Sequence, residues 1–375
     1  MPDVFRILDR FKITGRGMVY TIKKDKDAII CIGDNLYDLC GNQFKIKEVE
    51  MFRGVFGEVG IDEIPIGILL ELVNGVEVEG NILIKDQKNM NFLFCSHPLY
   101  PNKVDEDYKE EYQAASNTYP CALFSYEDME VGRLSLYGEE ICGLTIYRGW
   151  MMRPEMYRHF YFLLEKKGII LINTPEEYEK YYLLPGWYND FKDKTLESVW
   201  ETQGKLEDAI LMSKSLEGPY IVKDYVKSRK HEWYDACFIK DIKDIENVSK
   251  VIGNFIGRQG SSFVGGVVLR KFEKLKQIGF HKRSGMPLSE EYRVFIYAGK
   301  ILTISDYWME ESGIEISNKE YQWIELIAKS IKSNFITLDL ARKEDGSLII
   351  MEFGDGQVSG LQQLEEGMFY QSFPI

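Results

Sequence analysis

Two acidic residues, Asp339 and Glu352, stand in the stretch FITLDLARKEDGSLIIMEFGDGQVSG, Phe335–Gly360. The stretch reads as two strands joined by a tight turn at Asp345-Gly346. With the turn centred there, Asp339 lies directly opposite Glu352. Opposed side chains on paired strands have Cβ atoms roughly 4.5–5.5 Å apart, and like charges so placed destabilise the sheet. A cation between the carboxylates removes the conflict, and Asp355, just beyond the second strand, offers a third oxygen. Oxygen-only ligation by a few carboxylates suits Mg²⁺, which keeps waters and usually shares its shell with the phosphates of a nucleotide. The competing reading is an exposed sheet face on which both acids pair with nearby Lys or Arg.

Cations of matching chemistry lie elsewhere. In YIVKDYVKSRK, Lys223 and Lys227 are four apart and share a face whether the chain is extended or helical. Arg229 and Lys230 extend the cluster, which is either a phosphate site or a solvated face. Arg293, in EYRVFIYAGK, shares a strand face with Glu291. Arg148 ends the apolar strand in CGLTIYRGWM, at the place where α/β units collect ligands, and suits an anionic group. The cationic cluster runs into a polar loop with His231, Trp233 and Tyr234. GRQGSSFVGG, residues 257–266, lacks the Lys and the helix start of a phosphate loop and reads as a turn-rich connection.

These residues need elements to hold them. Residues 1–92 are a series of short strands with turn punctuation, the pattern of a small all-β barrel. Around residues 96–104, SHPLYPNKV, two prolines break the pattern and a linker is expected. Residues 105–190 alternate strand and helix. Pro154 opens a helix that Gly168 stops, IILIN follows, and Thr174-Pro175-Glu176-Glu177 is a capping box for the next helix. Residues 191–375 read as a helix over 195–211, the strand GPYIVKDYV, a helix over 241–255 and the strand VVLRKFEKL. A hairpin turning at Ala298-Gly299, an amphipathic helix over 317–334 and the closing hairpin complete the chain. On that last hairpin Ile336, Leu338 and Leu340 share a buried face with Ile349, Met351 and Phe353.

The whole chain bounds its class. A length of 375 residues holds about two or three domains with ample core. A net charge of −13 argues against non-specific coating of nucleic acid, which needs a basic face. The six cysteines form no C-x-x-C pair, so neither a structural zinc site nor a disulfide framework is expected. With no signal peptide and no apolar run long enough to span a bilayer, the expected location is cytoplasmic, away from membrane.

Two resemblances sharpen this reading. DRFKITGRGMVYTI, IGDNLYDLCG, FKIKEVEMF and IPIGIL follow the strand order of the second domain of the translational GTPases. That likeness implies a barrel with an RNA- or protein-docking role; GTPase activity is not implied, because no G-x-x-x-x-G-K-[ST] loop is present. From Tyr147 to Gly360 the chain resembles an ATP-grasp ligase of the clade named for two arginines and a lysine. The resemblance rests on TIYRGWM, YLLPGWY, YIVKDYVKS, VVLRKFEKL, EYRVFIYAGK, TLDLA and MEFGDGQVSGL.

The resemblance implies a multidomain α+β fold: the barrel, an α/β pre-ATP domain (105–190) and a two-subdomain ATP-grasp domain (191–375) binding ATP and Mg²⁺. Lys223 and Lys227 would meet phosphates. Arg270, Lys271, Phe272 and Glu273, in the segment Leu269–Glu273, would run along the adenine. Arg293 would stabilise the transferring phosphoryl group, with Lys227 and Arg148 as further catalytic cations, Arg148 holding a carboxylate. Asp339 and Glu352 would hold the metal, and Asp355 stands near the position where the family commonly has Asn. The implied activity is ligation of a carboxylate, on a small molecule or peptide, to an amine through an acyl-phosphate. Two other readings remain: an ATP-binding RNA- or translation-associated docking protein without turnover, and a nucleotidyl-transferring enzyme.

Overall fold

Short alternating strands close the first part of the chain on itself. The computed structural model describes residues 3–23, 28, 30–51, 65–85, 90–280, 287–308 and 316–374. Strands β1 (Val4–Ile13), β2 (Gly17–Lys23), β3 (Asn35–Asp38), β4 (Gln43–Met51), β5 (Ile66–Asn74) and β6 (Ile82–Lys85) form a closed barrel in the order β1-β2-β5-β4-β3-β6. Phe5, Ile22, Leu36, Ile46, Ile68 and Leu83 fill it. Closure leaves no strand edge for a neighbour to pair with. The expected barrel is present, although Ile29, Phe52 and Ile64 of its strand patterns lie outside the described residues. It is seated on the rest of the chain. The Asn334 side-chain oxygen accepts the Asn81 N–H at 2.7 Å, and Lys300 pairs with Glu79 at 2.5 Å. Gly80, at φ +71°, permits the approach, since a Cβ there would stand 3.1 Å from that of Ala298.

The second sheet is built from β7 (Asn91–His97), β8 (Tyr100–Val104), β9 (Cys121–Phe124), β10 (Leu136–Gly138), β11 (Gly143–Arg148) and β12 (Ile169–Leu171). Its helices are α1 (Lys109–Ser116), α2 (Tyr126–Glu130), α3 (Pro154–Glu165), α4 (Pro175–Tyr182) and α5 (Leu184–Phe191). Strands β9, β7, β11 and β12 run parallel, as the strand–helix alternation predicts. Thr174 and Glu177 make the capping box of α4. The linker expected at residues 96–104 is instead a hairpin, because β7 turns directly into β8. Pro98 falls in the turn and Pro101 on β8, which among the described residues pairs with β7 alone, places that tolerate a residue without an N–H.

A small antiparallel sheet follows, from β13 (Ser198–Trp200), β14 (Tyr220–Lys223), β15 (Phe238–Ile239) and β16 (Val268–Lys271), in the order β13-β16-β14-β15. Helices α6 (Leu206–Ser213), α7 (Trp233–Ala236) and α8 (Ile245–Gln259) belong to this unit. Val248, Val251, Ile252 and Phe255 of α8 bury its apolar stripe against Val222 and Leu269. The helix expected over 195–211 therefore starts only at Leu206. Ser198–Trp200 pairs with β16, and the Glu201 carboxylate then accepts the Gln203 and Gly204 N–H groups, forming a turn ahead of the helix.

The closing unit holds a short hairpin, β17 (Gln277–Phe280) with β18 (Pro287–Ser289), and then β19 (Glu291–Tyr297), β20 (Lys300–Asp306), β21 (Phe335–Arg342) and β22 (Leu348–Asp355). The last four form an antiparallel sheet ordered β20-β19-β21-β22. Ala298 and Gly299, at φ 52° and 78°, make the expected β19–β20 turn. Helix α9 (Asn318–Ser330) packs Ile324 and Ile327 onto the sheet, as does α5 through Trp187 and Phe191; α10 (Glu366–Gln371) ends the chain. In β21–β22, Asp339 pairs with Glu352 as expected, but Leu340 pairs with Ile350, so Met351 is an extra, bulged residue. Ile350 and Phe353 therefore enter the core, while Ile349 and Met351 are only partly buried, against the strict alternation expected. No helix among the described residues is long and apolar enough to cross a membrane.

Candidate functional site

A cleft of about 740 Å³ lies between the small sheet that carries β14 and β16 and the closing sheet that carries β19, β21 and β22. That volume is in the range of small-molecule sites. One wall presents Lys223 from the end of β14 and Lys227 from the loop beyond it, with Arg270 and Lys271 from β16. The segment then runs through Phe272 and Glu273 along the same wall. The opposite wall presents Arg293 from β19, Asp339 from β21, and Met351 and Glu352 from β22. The cations and acids to which the sequence assigns a role thus meet in one place, with two exceptions.

Arg148 is the first exception. It is buried at the end of β11 and does not line the cleft. Both oxygens of Glu111 accept from it, at 2.9 and 3.0 Å, the Gly356 carbonyl accepts at 2.5 Å, and the Tyr370 hydroxyl donates to Glu111 at 2.9 Å. Its donors are thus directed to Glu111 and a carbonyl, away from the cleft.

Asp355 is the second. It borders the floor of the cleft, yet three residues after Glu352 on a regular stretch of β22 it points to the other face of the sheet. It is fully buried, and it accepts from Asn173 at 2.6 Å and from the Gln357 backbone at 2.9 Å. Burial pushes its carboxyl up to about 7 despite those bonds. Its side chain is turned to Asn173 and Gln357 and away from Asp339 and Glu352, and no group of three metal-ligating side chains occurs among the described residues.

Asp339 and Glu352 both face the cleft, each neutralised by a cation. Arg293 donates to both Asp339 oxygens, at 2.8 and 2.7 Å, and lies 4.9 Å from the Tyr307 ring. The Lys223 ammonium donates to Glu352 at 2.7 Å. Burial would raise the Glu352 carboxyl, but Lys223, Arg270 and Lys230 outweigh it and hold it below its ordinary value. The exposed-face reading holds in that each acid has a basic partner, but the pairs sit inside a cleft.

Arg270 is the least satisfied group in the wall. It is 5 % exposed, and only one guanidinium nitrogen has partners, the Thr195 hydroxyl at 2.8 Å and the Ile350 carbonyl at 3.3 Å. Its Nε and Nη1 are buried without an acceptor, and burial lowers its pKa to about 10. A buried charge with orphan donors costs free energy unless something fills the site.

Sequence reasoning leaves some cleft residues unassigned. In the sequence Lys230 merely extends the basic run. It lines the cleft and keeps an exposed side chain, and Glu291, Tyr307 and Glu352 near it raise its pKa. Its signal is present in KSRK, but nothing in that run says which cation turns inward. Arg229 turns away, pairing with Glu232 at 2.7 Å. Trp233 lies in the wall against Phe238 and Phe272, whereas Tyr234 is largely exposed. Residues 257–266 line no part of the cleft, in keeping with a connection, and the first three of them end α8.

Residues 210–372 match the model of an ATP-grasp domain family, the third of the clade named for two arginines and a lysine. No curated protein matches the chain. Among solved structures, the RimK domain protein ATP-grasp from Sphaerobacter thermophilus is similar with a TM-score of 0.50 at 11% identity, over 76% of this chain and 99% of its own. D-alanyl-alanine synthetase A from Vibrio cholerae has a TM-score of 0.47 at 13% identity, over 75% of this chain and 92% of its own. N5-Carboxyaminoimidazole synthetase from Staphylococcus aureus has a TM-score of 0.47 at 11% identity, over 76% of each chain. At such identities the first of these establishes a shared fold.

Proposed function

We propose that this chain, an ATP-grasp protein across residues 210–372, is a ligase that joins a carboxylate to an amine at the expense of ATP. One observation carries the reading: Arg270 keeps two buried donors unpaired in the wall of a cleft where Lys223, Lys227 and Lys230 converge opposite Asp339 and Glu352. Such a set fits a polyphosphate, because phosphate oxygens are the acceptors that those orphan donors lack.

Mg²⁺ fits the remaining pair. A small divalent ion is commonly held by one or two carboxylates, with phosphates and water completing its shell. Asp339 and Glu352 would hold it, taking over the neutralisation that Arg293 and Lys223 now give and leaving those cations for phosphate. Bound there, ATP with Mg²⁺ supplies the phosphoryl group that activates the substrate.

The chain's own residues then act by charge and position. A substrate carboxylate oxygen attacks the γ-phosphorus, the bond to ADP breaks, and an acyl-phosphate results. Lys223, Lys227, Arg270 and Arg293, once placed against the phosphates, neutralise the spreading negative charge. The amine nitrogen attacks the acyl carbon, phosphate leaves and a proton is lost, giving the amide. No enzyme nucleophile is required. The substrate is a small molecule or a peptide.

Calorimetry of ATP-Mg²⁺ on the wild type beside Lys223→Ala tests the site, followed by ADP and phosphate release with amino acids and short peptides. The wild type is expected to bind, and the variant to bind about ten-fold more weakly, a loss of about 1.4 kcal/mol. A wild type that binds no nucleotide, or a variant that binds equally well, overturns the reading. Release of AMP and pyrophosphate would replace ligation by nucleotidyl transfer.

A further inference from the structure

Asp224 follows Lys223 directly, yet it does not face the cleft. It is fully buried, and it has no cationic partner among the described residues. Instead four N–H donors converge on it. Its Oδ1 accepts from the backbone of Val226 at 2.7 Å and of Lys227 at 2.6 Å. Its Oδ2 accepts from the Gln259 side chain at 2.9 Å and the Val264 backbone at 3.2 Å. A carboxylate left in the interior without a counter-charge is costly, and donors of this number are what make it tolerable. An asparagine could not replace it, because the amide offers one acceptor oxygen and would set its NH₂ against other donors.

The four bonds shape one loop. The Asp224 N–H donates to the Lys227 carbonyl at 2.9 Å and Lys223 bridges Ser228, so residues 224–227 form a closed turn. Gln259, at the end of α8, spans that turn from behind. Its amide nitrogen holds Asp224, while its oxygen accepts from Arg229 at 3.1 Å. One glutamine side chain therefore grips the loop at both ends. Between the grips Lys227 and Ser228 line the cleft.

We propose that Asp224 and Gln259 are positioning residues for nucleotide binding, fixing the loop 224–229 in the shape that aims Lys227 into the cleft. The inference rests on the ATP site proposed above. A preset cation binds phosphate without first losing loop entropy, so the bracket strengthens binding although neither residue touches the nucleotide. Helix α8 is thereby tied to the phosphate end of the cleft through Gln259.

A double-mutant cycle tests the mechanism, with ATP-Mg²⁺ as the calorimetric probe. Asp224→Asn and Lys227→Ala are each expected to weaken binding about ten-fold, and the double variant to be within about two-fold of Lys227→Ala alone, because coupled sites are not additive. Phe272→Ala, on a different part of the wall, should combine with Asp224→Asn multiplicatively. If Asp224→Asn does not fold, Gln259→Leu carries the test, since the turn bonds to Val226 and Lys227 remain. It should weaken binding about three-fold in the wild type and not at all in Lys227→Ala. Variants that bind as the wild type does, or losses that multiply with Lys227→Ala, overturn the proposal while leaving the ATP site standing. A wild type that binds no ATP-Mg²⁺ overturns both.

Discussion

Asp339 and Glu352 stand directly opposite each other on β21 and β22, and each carries its own cation, Arg293 for the first and Lys223 for the second. The two cations come from different sheets. The pairing of two like charges is therefore stable because the cleft closes basic residues over it from both walls. On the proposed function, these four groups would exchange partners when a divalent ion and a polyphosphate enter together.

Glu352→Gln should separate the two roles. The variant keeps the side-chain shape and loses the charge that a cation requires. ATP affinity of the wild type should differ about ten-fold or more between Mg²⁺ and EDTA, whereas the variant should show nearly the same affinity in both. Calorimetry under the two conditions reads this directly. A variant that retains the full metal dependence would remove Glu352 from the site.

Arg148 should matter to stability and not to nucleotide binding. Its guanidinium and the Glu111 carboxylate are buried against each other. Removing one partner strands the other, and Arg148→Ala should cost about 3–5 kcal/mol in urea unfolding. Arg148→Met combined with Glu111→Leu should cost less, since both charges go together, although Tyr370 then loses its acceptor. The double variant should bind ATP-Mg²⁺ as the wild type does.

Legibility in the sequence depends on range. The turn at Asp345-Gly346 and the alternation around it place Asp339 against Glu352, and the structure keeps that pairing. The bulge at Met351 is invisible, because an extra residue leaves the composition unchanged and only shifts the phase of the residues nearer the turn. Phase also explains Asp355: a spacing of three from Glu352 on a regular strand sends it to the far face. The Arg148–Glu111 pair is hidden because the two residues are distant in sequence and nothing local announces it. Ser198–Trp200 is hidden for the same reason, since a three-residue strand is defined by β16 beside it rather than by its own pattern.

Asp355 should behave as a buried group of the fold. Its folded-state carboxyl titrates at about 7 against an ordinary 3.8, because burial opposes its charge. The native state thus holds a proton that the unfolded chain releases between those values. Its contribution to stability is most favourable below pH 3.8, declines as pH rises toward 7 and is level above, a span of about 4 kcal/mol at most. Asp355→Asn sets an NH₂ against the Asn173 or Gln357 donors and should destabilise by about 1–3 kcal/mol. Urea unfolding from about pH 5 to 8 should show the wild type losing its advantage over the variant as pH rises. Where the variant is folded, its metal-dependent ATP binding should be unchanged; a loss there would return Asp355 to the metal site.

Arg270 offers the sharpest test, because stability and binding should move in opposite directions. Its guanidinium stays charged at neutral pH, with a pKa lowered by burial only to about 10, while Nε and Nη1 have no acceptor. Carrying that charge destabilises the unliganded protein. Arg270→Met keeps an unbranched chain beside Trp187 and removes the orphan donors. Replacing buried charge by apolar volume is often stabilising by about 1–4 kcal/mol, so the melting temperature of the unliganded variant should rise. Loss of charged contacts to phosphate should weaken ATP-Mg²⁺ binding by at least about ten-fold. Calorimetric melting and titration on the same preparation read both. If the variant melts lower and still binds ATP, then the unpaired nitrogens serve the fold rather than the nucleotide, and the ATP reading loses the observation that carries it.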